Sequence, residues 1–301
     1  MSKSVKVFAK LNIALNVLGS SNSYHDLDTV VTTVSKYNVI TVSKRKDDKI
    51  LVSFVGKYGF VPEKQEETNA YKAAKLFMST FNTKGANIEV KVNIPNGSGM
   101  GGSSVDIVGV LGALKKLYKV DGELKPLADS LGSDSGYLLK GGFARLTSRG
   151  DEISYFDSDL ELYFVVIYNN NGVNTKECFN IYDSLNESGI VSDVDKLVNG
   201  LKNNDYSCLD GNVNNALYNS AIKLNIEIEK NLNALKSLSP KWCAMTGSGA
   251  TVFSVYDTYE MASWAPEKLK KQNYNAELLQ RYDYKKANFF DLLFDNLVYE
   301  C

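Results

Sequence analysis

The residues best suited to chemistry in this 301-residue chain gather in one run, "NGSGMGGSSVD" at 96–106, where four glycines and three serines separate a strand-like stretch from a helix-like one. Glycines let several backbone N–H groups converge on one anion, and a helix starting right after them adds unpaired N–H groups and a partial positive charge. Ser103 and Ser104 stand where they can cap that helix, with Asp106 three residues after Ser103 completing a capping-box-like pattern. Their alternative is to bring a hydroxyl to a phosphate or to Mg2+. Gly97, Gly99 and Gly102 also satisfy the letters of the dinucleotide fingerprint G-x-G-x-x-G. That fingerprint needs a second strand ending in an acidic residue, and the polar "KVDGELKPLADSLGSD" at 119–134 offers none. The loop G-x-x-x-x-G-K-[ST] is absent from the chain. A ligand-free turn and a phosphate cradle are the readings that remain.

Other candidates are few. From Val5 to Val17 the odd positions are all apolar, so a strand of period two sets Lys10 and Asn12 together on the opposite face. Asp134 lies in the turn-rich "GSDSG"; by itself it reads equally as a turn cap, and Lys10 equally as a surface lysine. The single histidine, His25, excludes most His-dependent constellations, and it lies in a polar stretch behind Tyr24. Cys178, Cys208, Cys243 and Cys301 lie far apart with no C-x-x-C, as ordinary thiols do.

The elements that must position these groups follow from periodicity. Strands are expected at 29–35, 39–43 and 50–54, forming an antiparallel sheet with the first strand, then a helix over 68–81. Ile88, Val90, Val92 and Ile94 alternate with polar residues up to Pro95, and Val105, Val108, Leu111, Leu114 and Leu117 recur at helical spacing. "GGFARLTSRGDE" at 141–152 reads as turns, and a domain boundary is expected near 150. Beyond it come a strand at 164–168, helices within 176–185 and 214–237, strands at 242–245 and 251–256 flanking "TGSG", a helix near 258–271 and a strand near 275–282. The tail 285–301 is amphipathic and could dock as a helix.

A net charge of -1 and a pI near 6.0, without blocks of like charge, give no footprint for nucleic acid or an anionic membrane, so a small-molecule partner is expected. The start lacks a signal-peptide core and no stretch of 18 uncharged apolar residues follows, which predicts a soluble, cytoplasmic protein. The sequence leaves monomer and homodimer open.

The run P-x-x-x-G-[LM]-G-[GS]-S-S resembles the phosphate loop of the GHMP small-molecule kinases, matched here by Pro95, Gly99, Met100, Gly101 and Ser103. "AKLN" at 9–12 and "MTGSGATVF" at 245–253 are similar to two further motifs of that family, in the family's order. "SYHDLDT" at 23–29, "GSDSGYLL" at 132–139 and "NTKECF" at 174–179 are similar to the branch whose acceptor is a cytidine diphosphate sugar alcohol of the non-mevalonate isoprenoid pathway. The resemblance spans about residues 5–282 and implies an α+β, two-domain GHMP kinase fold, with a ribosomal protein S5 domain 2-like half (1–150) and a ferredoxin-like half (151–301) carrying an extra tail from about 285. It implies ATP and Mg2+ as cofactors. Pro95, Gly97, Ser98, Gly99, Met100, Gly101, Gly102, Ser103 and Ser104 would hold ATP, with Ser103 or Ser104 near Mg2+. Asp134 would orient or accept the acceptor's hydroxyl proton and Lys10 would hold that carboxylate. Tyr24 and Phe179 would sandwich cytosine, while Asn12, His25 and the loop Thr246, Gly247, Ser248 and Gly249 would bind the rest of the acceptor. A homoserine- or mevalonate-type kinase and a non-catalytic binding protein of the same fold are the alternatives. The chain departs from that branch at Ser23, at Ser135-Gly136, at Asn214-Asn215 and in a phosphate loop one residue shorter.

Overall fold

The computed structural model describes residues 2–21, 24–185 and 191–283. Ser23 and the tail from about 285 lie outside the described residues. The long strands β1 (Ser2–Ser21) and β2 (Tyr24–Lys44) pair antiparallel. On its other edge β2 carries two partners, β4 (Ala86–Lys91) along its second half and β5 (Ala144–Ser148) along its first. β3 (Ile50–Val55) runs parallel to β4, and β6 (Glu152–Tyr155) closes the sheet beside β5.

Three expectations change here. The strands expected at 29–35 and 39–43 are one strand. The polar residues between them look like a turn but are spent on neighbours: Lys36 pairs with Glu277 at 2.6 Å, and Asn38 Oδ1 accepts the backbone N–H groups of Asn93 and Ile94. β3 is parallel to β4 because helix α1 (Asn69–Phe81) lies in the connection between them, as a crossover requires. The segment read as turns at 141–152 contains β5 and the start of β6, pinned by Arg145, whose guanidinium bonds Asp28 through two nitrogens at 2.7 and 2.8 Å and Asp195 through a third. Residues 152–155 lie past the boundary expected near 150 yet belong to the first sheet, so we propose to set the division within 156–162.

Helix α2 (Gly102–Tyr118) follows the glycine loop, and from Ile107 to Leu114 every residue is buried. It lies against β1, β2 and α1, and the short helices α3 (Lys125–Leu131) and α4 (Ser135–Leu138) lead from it to β5.

The second sheet has the order β10-β7-β9-β8, all antiparallel. Its strands are β7 (Tyr163–Ile167), β8 (Trp242–Met245), β9 (Val252–Tyr256) and β10 (Ala276–Gln280). Between β7 and β8 run α5 (Thr175–Leu185), α6 (Val194–Lys202), α7 (Tyr218–Leu224) and α8 (Glu227–Lys236); α9 (Tyr259–Ser263) and α10 (Ala265–Lys271) precede β10. Stripped of extra helices this is βαββαβ with order 4-1-3-2, the ferredoxin-like arrangement. Phe164 and Val166 of β7 enter the core shared with the first sheet, while Val165 and Ile167 enter a second core under α7 and α8. Burial on both faces explains the unbroken apolar run of β7.

Candidate active site

A cleft of about 520 Å³ lies between the two sheets and is lined by the glycine loop, the start of α2, β1, Asp134 and the loop after β8. Strand β1 supplies Lys10 and Asn12, and its ladder to β2 is interrupted between Phe8 and Lys10 and again between Asn12 and Ala14. The freed amides reach sideways. Lys10 N–H donates to Met100 O at 3.1 Å, and Asn12 N–H donates to Thr246 Oγ1 at 3.0 Å, so one strand clasps the loops from both halves of the chain.

Both polar side chains are buried, each residue being 4% exposed. Lys10 Nζ donates to Asn12 Oδ1 at 2.6 Å and lies 3.6 Å from Asp134 Oδ2. Asn12 Oδ1 also accepts the Gly247 N–H at 3.0 Å, and its Nδ2 donates to Thr29 Oγ1 at 2.9 Å. Asn12 was expected to bind the acceptor directly. With both ends of its amide engaged, its geometry suits it instead to hold Lys10 and the Gly247 loop in place.

Asp134 occupies the N-cap position of α4, but its side chain makes no capping bond and turns toward Lys10. It is the more open partner, with 27% of its side chain exposed against 5% for Lys10. An ionised carboxylate beside a buried ammonium and open to the cleft can receive or orient a hydroxyl proton.

The glycine loop is shaped by backbone contacts. Gly99 and Gly101 have φ of 73° and 78°, and a Cβ on Gly99 would overlap Thr246 O. Ala250 and Thr251 donate their N–H groups to Gly97 O and Ser98 O, at 3.1 and 3.2 Å. Met100 turns into the core and is fully buried. The capping expectation fails: Gly101 is the N-cap of α2, no side chain caps it, and Ser103 and Ser104 already lie within the first turn. Their side chains are thereby released from capping, and Ser103 is exposed toward the cleft while Ser104 is buried. Pro95, Gly97, Ser98, Gly101 and Gly102 line the same cleft.

From the other half, Gly247 and Ser248 line the cleft, while Thr246 and Gly249 hold the turn from behind, with Gly249 N–H donating to Thr246 O at 3.0 Å. Asn215, which the sequence reading noted only as a departure, donates Nδ2 to Met245 O and Gly247 O at 2.7 and 2.8 Å and so secures this loop. Phe179 lines the cleft from α5. Tyr24 and Phe179, expected to sandwich cytosine, each have another neighbour here. Phe179 stacks on His25, with centroids 4.4 Å apart, and Tyr24 lies under the guanidinium of Arg149 at 4.7 Å. Arg149, Phe54 and Phe60 were missed as cleft residues. Arg149 was hidden in a stretch read as turns, Phe54 ends the strand expected at 50–54, and Phe60 lies outside every element the sequence predicts.

Burial pushes the thiols of Cys178 and Cys208 up to about 11, in keeping with inert cysteines. Among the described residues no helix is long and apolar enough to cross a membrane.

The family model for the GHMP kinases N terminal domain matches residues 68–143, the stretch from α1 to the start of β5. A Clostridium beijerinckii protein named 4-diphosphocytidyl-2-C-methyl-D-erythritol kinase is 31% identical over 89% of this chain and 96% of its own length. A Clostridium perfringens protein of the same name is 33% identical over 88% of this chain and 93% of its own. Among solved structures, a crystal structure of 4-(cytidine 5'-diphospho)-2C-methyl-D-erythritol kinase superposes with a TM-score of 0.76 at 24% identity, covering 94% of this chain and 100% of that one. With a buried lysine facing an open aspartate beside an uncapped glycine-loop helix, and relatives matched end to end at this identity, the chain belongs to the 4-diphosphocytidyl-2-C-methyl-D-erythritol kinase family of GHMP kinases.

Proposed function

We infer that the protein is an ATP-dependent kinase that phosphorylates the 2-hydroxyl of 4-diphosphocytidyl-2-C-methyl-D-erythritol, a step of the non-mevalonate route to isoprenoid precursors. The observation that carries the chemistry is the Lys10–Asp134 pair, 3.6 Å apart in the cleft that also holds the free N-terminus of α2. Phosphoryl transfer needs positioning and charge neutralisation more than covalent chemistry. Asp134 would accept the hydroxyl proton as the bond to phosphorus forms. Lys10 would hold the Asp134 carboxylate in place and offset charge on the moving group. The first-turn N–H groups of α2 and the glycine loop would hold the β- and γ-phosphates, and the stacked pair Phe54 and Phe60, 4.4 Å between centroids, offers an aromatic wall for adenine. Thr246 to Gly249 would close over the transferred group.

No three His, Cys, Asp or Glu side chains among the described residues gather to hold a metal. That fits Mg2+, which binds mainly through substrate phosphates and water, with the exposed hydroxyl of Ser103 better placed than Ser104 to add a ligand. Bound there it would neutralise phosphate charge. Arg149 is the second cation of the cleft lining and would meet the acceptor's diphosphate.

The test is turnover of purified protein with ATP and Mg2+ against the diphosphocytidyl acceptor, homoserine and mevalonate. Phosphorylation of the first alone is expected; turnover of either of the others in its place would assign the site to a different GHMP kinase. Binding of ATP without transfer to any acceptor would favour a non-catalytic protein.

A further inference from the structure

His25 and Phe179 do more than lie close. Phe179 and Asp183 are one turn apart on α5 and therefore share a face, and the imidazole of His25 meets both. Its ring stacks on Phe179 at 4.4 Å with 26° between the planes, and its Nε2 lies 2.7 Å from Asp183 Oδ1. An ionised carboxylate can only accept, so Nε2 must carry the hydrogen. Nδ1 makes no hydrogen bond with the described residues, and in the neutral imidazole it is left as a bare acceptor.

We propose that Asp183 is a positioning residue for the acceptor's base: it fixes His25 in the Nε2–H form, so that Nδ1 selects an exocyclic amino group and hence cytosine over uracil. The proposal rests on the reading that the acceptor carries a cytidine. Cytosine offers the N4 amino hydrogens where uracil presents the O4 lone pairs. A bare acceptor bonds the first and repels the second, and the alternative tautomer, with hydrogen on Nδ1, would reverse that preference. The stack on Phe179 sets the plane of the imidazole, and a base bonded at its edge must lie near the same plane, which confines the approach in both angle and depth. Asp183 thus acts at one remove from the substrate, as the partner of the second ring nitrogen commonly does for ligating histidines.

The chain contains one histidine, which makes the test unambiguous. Nitrogen-15 NMR of the full-length protein labelled at histidine should show neutral His25 protonated at Nε2, with Asp183→Ala populating both tautomers and Asp183→Asn, whose amide oxygen can still accept, restoring the original one. In parallel, KM and kcat are measured for the cytidine acceptor and its uridine analogue. The wild type should prefer cytidine, Asp183→Ala should reduce that preference about tenfold through KM, and Asp183→Asn should recover most of it. A wild-type imidazole protonated at Nδ1, or an Asp183→Ala variant with unchanged tautomer and unchanged preference, overturns the proposal. An equal loss for cytidine and uridine assigns Asp183 a purely structural role and overturns it too. If the wild type shows the Nε2–H tautomer but phosphorylates neither acceptor, the functional reading fails and takes the base-selecting role with it, while the Asp183–His25 pairing stands.

Discussion

Asn12 accepts the backbone N–H of Gly247 at 3.0 Å across 235 positions of chain, with the same oxygen that receives Lys10 Nζ at 2.6 Å. One side-chain atom thus sets the distance between a strand-borne ammonium and the 246–249 loop of the other half. Asn12→Ala removes the acceptor of the buried Gly247 N–H and leaves Lys10 Nζ only the Asp134 carboxylate at 3.6 Å, which should cost about 1–3 kcal/mol of stability. It should also lower kcat at least tenfold, because Lys10 is no longer held toward Asp134. Urea melts and steady-state kinetics on the same preparation check both halves.

Replacing the proposed proton acceptor separates chemistry from folding. Asp134→Asn keeps the shape of the side chain and its place at the start of α4, so the melting curve should stay close to wild type while kcat falls about 10²- to 10⁴-fold. Wild-type-like turnover would remove Asp134 from the mechanism.

Gly99 is a point where the backbones of the two halves touch, and its carbonyl also accepts the Thr246 hydroxyl at 3.4 Å. With φ at 73° and Thr246 O in the path of any Cβ, Gly99→Ala must distort the loop or push the 246–250 turn away. The expected result is a loss of about 1–3 kcal/mol in stability and a KM for ATP raised more than that for the acceptor. Ser103→Ala touches neither contact and should leave stability unchanged.

Asp106 makes stability depend on pH. Burial pushes its carboxyl from 3.8 up to about 7, against an opposing hydrogen bond from Asn38. The folded state therefore binds the proton more tightly than the unfolded chain, so this residue's contribution is fully favourable below about 4 and is lost as pH rises to about 7. Asp106 keeps some exposure toward the cleft, so the loss is on the order of 1–3 kcal/mol. Asp106→Asn should match wild type at pH 4 and exceed it by that amount at pH 8, measured by chemical denaturation.

The glycine loop could be found in the sequence from local pattern, since glycines before a helical repeat suit a phosphate cradle, and period two sets Lys10 on one face of its strand; it was the resemblance to the GHMP kinases that singled out Lys10 and Asp134 from an ordinary surface lysine and turn cap. What escaped notice depends on partners far along the chain. Asn38 looked like part of a turn until its bonds to Asn93 and Ile94 made β2 continuous, and Asn215 acquires its meaning only from the carbonyls of Met245 and Gly247. Capping was misread for a subtler reason. A serine near a helix start favours the N-cap position, but the left-handed Gly101 takes that place and draws both serines into the first turn. Aromatic rings on the cleft wall were legible as types, not as pairs, because stacking partners are chosen by side-chain direction across separate elements.

The binding of Gly97 and Ser98 to Ala250 and Thr251 also orders events during synthesis. The glycine loop, the proposed nucleotide cradle, emerges from the ribosome some 150 residues before the segment that braces Gly97 and Ser98, so the nascent N-terminal sheet holds it through β1 alone, by the Lys10 N–H to Met100 O bond. Competence to bind ATP should therefore arise late, with docking of the second sheet, and a nucleotide present at that moment would act as a template that draws the two halves of the newly made chain together.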